Sequence, residues 1–195
     1  MESIKSDNIS LKKWTLNTIY GWLVGFVCVI ILAFILEAVG VVDSQFFVGT
    51  GMSAGVGFMQ YRLLHSIKGW NWMWATMFGM TLAFVMLEFG STFLEMMPDF
   101  NLQISIAVGG LLVGILQYRI LSTESVSGSL WWILICFIGW TSAGLIVGIT
   151  DYLRDYIPNG PGPIALILNL LLMTFISSLT LGLVTGMGLL RLLRK

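Results

Sequence analysis

Gly51-Met52-Ser53-Ala54-Gly55 has the G-x-S-x-G spacing that seats a nucleophilic serine on a tight turn. Such a serine needs a histidine as base and a carboxylate to orient that base. The chain holds one histidine, His65, in a polar stretch between two apolar runs. The other candidates are isolated polar residues inside apolar runs: Glu88, Asn169, Gln60 and Gln117. An ionisable group in hydrocarbon is costly, so Glu88 reads by default as a proton or cation site. The plainer alternative is a neutral or hydrogen-bonded glutamate facing a neighbouring helix, with Asn169 at comparable depth as partner. An amide one turn inside a membrane usually bonds another helix. Gln60 and Gln117 therefore read first as glue between helices and second as pore lining. Cys28 and Cys136 lie mid-way along apolar runs with no metal-ligand spacing. No cofactor, metal or catalytic set is expected, and the chain is not expected to be an enzyme.

The elements that must hold these residues follow from composition. The chain has 195 residues, 57% hydrophobic and 10% charged, with mean hydropathy +0.90. A water-soluble domain is nearer a quarter charged, and apolar surface on this scale would aggregate in water. A lipid solvent removes that conflict. Six stretches approach the ~20 apolar residues that a helix needs to cross a bilayer. They are 16–38, 45–64, 71–94, 103–121, 130–150 and 163–190, the second being the weakest because glycine dilutes it. None alternates strictly, which disfavours a barrel. The reading is an all-α polytopic membrane protein, a single transmembrane domain over 1–195 with a short tail, 1–13.

Charge sets the orientation. Nine of the ten basic residues fall on one side of the six-span scheme, leaving Arg154 on the other, while seven of the ten acids lie opposite. An even number of spans places both termini together, and the lysine and arginine bias places them in the cytoplasm. Arg62, Arg119 and Arg191 recur at the inner ends of even spans. They read as snorkelling anchors, or else as an inner ring touching anions or lipid phosphates. Glu37, Glu95 and Asp155 recur at the outer ends of odd spans, as water-exposed groups or an outer ring attracting cations. Trp14, Trp70, Trp72, Trp74, Trp131 and Trp132 all fall at the inner ends of odd spans, where indoles favour the interface. The zero net charge gives no argument for nucleic acid.

The chain also repeats. "GFMQYRLL" at 57–64 recurs as "GILQYRIL" at 114–121, and more weakly as "GMGLLRLL" at 186–193. Trp14, Trp72 and Trp132 each precede a glycine by seven residues: Gly21, Gly79 and Gly139. Three tandem helical hairpins result, about 14–64, 70–121 and 130–193, which permit a pseudo-threefold ring. This alignment sets Ser53 against Gly110 and Gly182, so the position asks for a small residue and not a nucleophile. Small residues four apart, such as Gly51/Gly55, Gly21/Gly25, Gly110/Gly114 and Gly182/Gly186, form stripes where helices approach closely. Thr81 and Thr141, each two residues past its glycine, are expected to return their hydroxyls to the preceding turn.

The Trp-x6-Gly pattern in one helix and Gly-x-x-Gln-Tyr-Arg in the next resembles bacterial multi-pass membrane proteins built from tandem Trp/Gly-rich hairpins. That resemblance implies the bacterial inner membrane and no particular activity. The stretch around Ser53 is superficially similar to a rhomboid-type intramembrane protease, which would need a histidine on a later span. The three-hairpin plan looks like the mitochondrial carrier architecture, but no proline precedes Glu37, Glu95 or Asp155 in that family's spacing. Two functions compete. One is a small-solute or ion pathway with Glu88 as ionisable site, Gln60 and Gln117 as lining and the arginines as inner boundary. The other is a non-transporting scaffold or accessory subunit, whose partners are the lipid bilayer and either another membrane protein or a second copy of the chain.

Overall fold

The computed structural model describes residues 9–41, 45–64, 69–94, 101–124, 126, 128–155 and 162–193. Among them the chain forms six helices and no strand: α1 (Leu11–Ala38), α2 (Phe46–Tyr61), α3 (Gly69–Leu94), α4 (Asn101–Thr123), α5 (Trp131–Asp155) and α6 (Pro163–Leu193). Local chemistry sets several ends. The Ser10 hydroxyl caps α1 by accepting from the Lys13 backbone N–H at 3.2 Å. Gly40 follows α1 at φ +84°, a left-handed turn that glycine enters without strain. Pro163 opens α6, where its missing N–H has no helical partner to lose.

Five of these helices, α1, α3, α4, α5 and α6, are long and apolar enough to cross a membrane. The sixth, α2, has 16 residues and so spans ~24 Å, short of the ~30 Å hydrocarbon core. The fifth span was expected to end at 150. The helix instead continues to Asp155, which carries Asp151 and Arg154 onto α5 rather than into a loop.

Each helix packs on its neighbours in the chain, and α6 closes against α1, so the six form a ring. Adjacent helices run antiparallel. Gly21 of α1 backs onto Val56 of α2, while Gly25, one turn on, backs onto Met52. At α6 against α1 the order is likewise reversed, with Gly182 on Thr15 and Gly186 on Leu11. The closest approach is at Gly55, where a side chain would overlap the backbones of Gly21 and Gly25. Apolar side chains, among them Phe34, Phe78, Phe89 and Phe175, are exposed around the outside. Buried polar side chains, including Thr18, Gln60, Thr76 and Gln117, lie within. Polar groups turned inward and hydrocarbon turned outward is the arrangement a lipid solvent favours.

Facing contacts show which residues correspond around the ring. Gly21, Gly79 and Gly139 back onto Val56, Val113 and Leu181, all three buried. Gly57, Gly114 and Gly182 press on the pairs Met73/Thr76, Ile133/Cys136 and Thr15/Thr18. The counterpart of Gly114 on α6 is therefore Gly182, and the expected match of 186–193 to the two earlier segments lies one turn too far along. A four-residue slip leaves a residue on nearly the same helix face, so glycine and arginine identities alone did not distinguish the two registers. In the corrected register Thr185 stands where Gln60 and Gln117 stand. Leu189 joins Leu64 and Leu121, each fully buried, and Ser178 replaces Gly182 as the partner of Ser53. Arg191 leaves the set: Met187 holds the place of Arg62 and Arg119.

Candidate functional site

Trp14, Trp72 and Trp132 open equivalent helices, α1, α3 and α5, and all three turn into the ring, at most 1% exposed. This departs from the expected interfacial belt. Trp70 and Trp131 do lie on the outside, 54% and 65% exposed. Each helical residue turns ~100° from the last, so tryptophans one or two apart cannot share a face. The inward rings touch: Trp14 meets Trp72 edge-on with centroids 6.3 Å apart, and Trp72 meets Trp132 at 5.5 Å and 50°. Both separations fall in the favourable range for aromatic pairs.

Each of these indoles donates its Nε1–H across a helix boundary. Trp72 donates to Gln60 Oε1 at 3.1 Å, Trp132 to Gln117 Oε1 at 2.8 Å, and Trp14 to Thr185 Oγ1 at 2.9 Å. The glutamine amides reach the other way. Gln60 Nε2 donates to Thr18 Oγ1 at 3.4 Å, and Gln117 Nε2 donates to Thr76 Oγ1 at 2.8 Å. Thr18 and Thr76 pass their own protons to the Trp14 and Trp72 carbonyls, one turn back. Cys136 occupies the third threonine position and directs its thiol to Gln117 Oε1 at 3.6 Å. A polar girdle thus surrounds three touching indole rings, with Gln60 bridging α1 and α3 and Gln117 bridging α3 and α5. The Trp-x3-Thr spacing at 14/18 and 72/76 is visible in the sequence, but a threonine that returns its proton to the preceding turn needs no partner, so the spacing alone does not mark an acceptor between helices.

The remaining candidates are dispersed. Glu88 lies on α3 and reaches the start of α2, where its Oε2 accepts from the backbone N–H of Gln45 at 3.2 Å and of Phe46 at 3.1 Å. Gln45 supplies α2 with no side-chain cap, so a carboxylate from the next helix satisfies two of its orphan donors at the positive end of the helix dipole. Asn169 is half-buried on α6, whose ring neighbours are α5 and α1, not α3. Arg62, Arg119 and Arg191 are exposed, as is Glu37. Glu95 lies outside the described residues, as do the side chain of Asp155 and His65. Ser53 is fully buried and donates its hydroxyl to the carbonyls of Gly49 and Thr50 in its own helix. Thr81 lies within hydrogen-bond distance of Thr50 on α2, at 3.0 Å between hydroxyls, rather than turning back on its own helix. Thr141 Oγ1 is buried and has no partner among the described residues.

Two turns beyond the girdle, ~12 Å along the axis at 1.5 Å per residue, the corresponding positions are Trp22, Met80 and Trp140, all buried. They border a partly open apolar pocket of about 160 Å³. Every helix contributes to its wall: Trp22 from α1, Met52 from α2, Phe84 from α3, Leu102 from α4, Val147 from α5 and Thr174 from α6. The molecule so described is a ring of helices filled at one level by hydrogen-bonded indoles, with a partly open apolar pocket about two turns further along. Comparison with family models, with curated proteins and with solved structures finds no match for the chain.

Proposed function

We propose that the chain is an integral membrane protein of six spans, three antiparallel hairpins closed into a pseudo-threefold ring, and that it serves as a non-conducting membrane scaffold or accessory subunit. The bacterial inner membrane, with both termini cytoplasmic, is the setting that fits its charge distribution and its resemblance to multi-pass proteins of that membrane. In this reading α2 is a short crossing whose start is finished by Glu88.

The observation that carries the reading is the state of the axis. A polar-solute path needs groups free to replace the solute's hydration shell. Here Gln60 and Gln117, the best lining candidates, are 4% and 2% exposed and hold the indoles of Trp72 and Trp132. The indoles themselves fill the middle of the ring at that level. Glu88 holds the end of a helix and does not stand on the axis among the girdle groups. The connections 39–45, 62–68, 95–100, 124–130 and 156–162 are too short to form a separate domain between helices.

The test is reconstitution in liposomes carrying proton-, potassium- or chloride-sensitive dyes. Flux should equal that of empty vesicles for each ion, in the wild type and in Glu88→Gln alike. A conductance above the blank that Glu88→Gln reduces overturns the non-conducting reading. In parallel, single cysteines at Lys5 and Lys195, in a Cys28→Ser, Cys136→Ser background, should label from the same membrane face. Labelling from opposite faces removes the six-span scheme.

A further inference from the structure

We propose that a pocket between the start of α5 and the end of α6 holds one anionic phospholipid, with its phosphate on Arg191 and part of an acyl chain in the groove. The inference rests on the membrane setting and not on the scaffold reading, since it asks nothing of the ring's axis.

Two glycines shape the pocket. A methyl group on Gly188 would meet the Ile135 side chain at 2.6 Å, so α5 and α6 are in tight contact there. Gly128, at φ +73°, makes a left-handed turn into α5 that glycine enters without strain. The Trp131 backbone N–H donates to its carbonyl at 3.0 Å, and the turn lies close to Leu192. The space bordered by both glycines measures about 340 Å³, walled by Trp131 and Ile135 from α5 and by Arg191 and Leu192 from α6. That volume falls in the lower part of the ~300–1,000 Å³ range of ligand sites. Trp131 and Arg191 are exposed, so the pocket opens to the surroundings, and a molecule too long for it leaves its remainder outside.

Arg191 sets the class of guest. It is the one ionisable side chain in this wall among the described residues, so no carboxylate competes for an anion there. Its planar fork engages two phosphate oxygens at once. The rest of the wall is apolar, so the guest must join an anion to hydrocarbon, which free phosphate does not. An indole such as Trp131 favours the level where headgroups meet acyl chains. Threefold packing does not account for Arg191, because Met187 holds the place of Arg62 and Arg119. Arg191 stands one turn further along α6, and Arg194 and Lys195 follow it in the sequence.

The experiment is native mass spectrometry of the full chain released from detergent, titrated with phosphatidylglycerol and with phosphatidylcholine of identical acyl chains. One phosphatidylglycerol per chain should bind ahead of any other, about five- to tenfold more tightly than phosphatidylcholine, whose choline offsets the phosphate charge. Arg191→Gln should abolish that preference. Arg62→Gln and Arg119→Gln, at exposed arginines that do not line the pocket, should keep it. Trp131→Ala, which removes an apolar wall, should weaken both lipids and leave the preference. Excess inorganic phosphate should displace neither. Equal affinity of the wild type for the two lipids overturns the site, as does a preference that survives Arg191→Gln. A preference lost equally in Arg62→Gln and Arg119→Gln also overturns it, since it would then belong to the whole basic face. Displacement by phosphate overturns the assignment to a lipid. Arg191 and Trp131 are exposed, so their variants should elute with the wild type, and the wild-type comparison decides the matter even where a variant does not. None of these outcomes reads ion flux, so the scaffold reading stands or falls by its own test.

Discussion

At the scale of single residues, the stability of the girdle rests on polar groups that hydrocarbon cannot solvate. Gln117 uses both ends of its amide, so Gln117→Leu strands the Trp132 indole and removes the link to Thr76. That variant is expected to lose about 1–3 kcal/mol in a detergent unfolding titration, the cost of an unsatisfied buried donor. Thr185→Val strands only the Trp14 indole and is expected to lose less, ~0.6–1.7 kcal/mol, from the average to the maximum found for single interhelical bonds in membranes. Adding Trp132→Phe to Gln117→Leu removes the orphan donor, so the double variant should be less destabilised than the sum of the two singles. Strict additivity would show that the bond carries no coupling energy. The sequence disclosed Gln60 and Gln117 as interhelical residues, because an amide in an apolar run has few other uses. It did not disclose their partners. Which of several tryptophans turns inward depends on helix rotation, and neighbouring identical residues hide that rotation.

At the scale of elements, the helices are set by hydropathy and their spacing by glycine. The sequence showed the apolar runs, the glycine stripes and the weakness of the second run, which emerges as a 16-residue helix. It missed the register of α6, because helix periodicity makes a one-turn slip nearly invisible to a local match. Spacing gives a prediction whose sign depends on place. Glycine is the poorest ordinary helix former, so replacing it with alanine in an open helical position gains up to ~1 kcal/mol. Gly90 on α3 has nothing near the site of an added methyl, and Gly90→Ala should be neutral or stabilising by that amount. Gly55 meets the backbones of Gly21 and Gly25, which cannot rotate aside, so Gly55→Ala should destabilise by about 1–3 kcal/mol, the usual cost of overpacking. Equal effects at the two positions, read from the same unfolding titration, would mean that α1 and α2 do not depend on their close approach.

At the scale of the whole molecule, closure of the ring matters more than the order of its parts. The α6/α1 contact repeats the chemistry of α2/α3 and α4/α5: a small residue pressed on the next helix, and an indole donating back to an acceptor on the one before. If these interfaces are interchangeable in kind, the place where the chain is cut is incidental. A permutant joined from Lys195 to Met1 through a flexible linker, and opened within 65–68, keeps every helix pair and turns the α2/α3 contact into the new junction between chain ends. Helical pairs moved as units would retain their direction of insertion, since each returns to the side it left. The permutant is expected to elute with the wild type, to unfold within about 1 kcal/mol of it, as expected when no buried contact is lost, and to show the same loss on Gln117→Leu. The α6/α1 contact pairs its indole with a threonine where the others use glutamine, so a covalent join placed there tests the equivalence of the interfaces most directly. A permutant that inserts but elutes as an aggregate, beside a wild type that does not, would mean that the ring depends on its first hairpin forming first, and that the three interfaces are alike in geometry without being alike in strength.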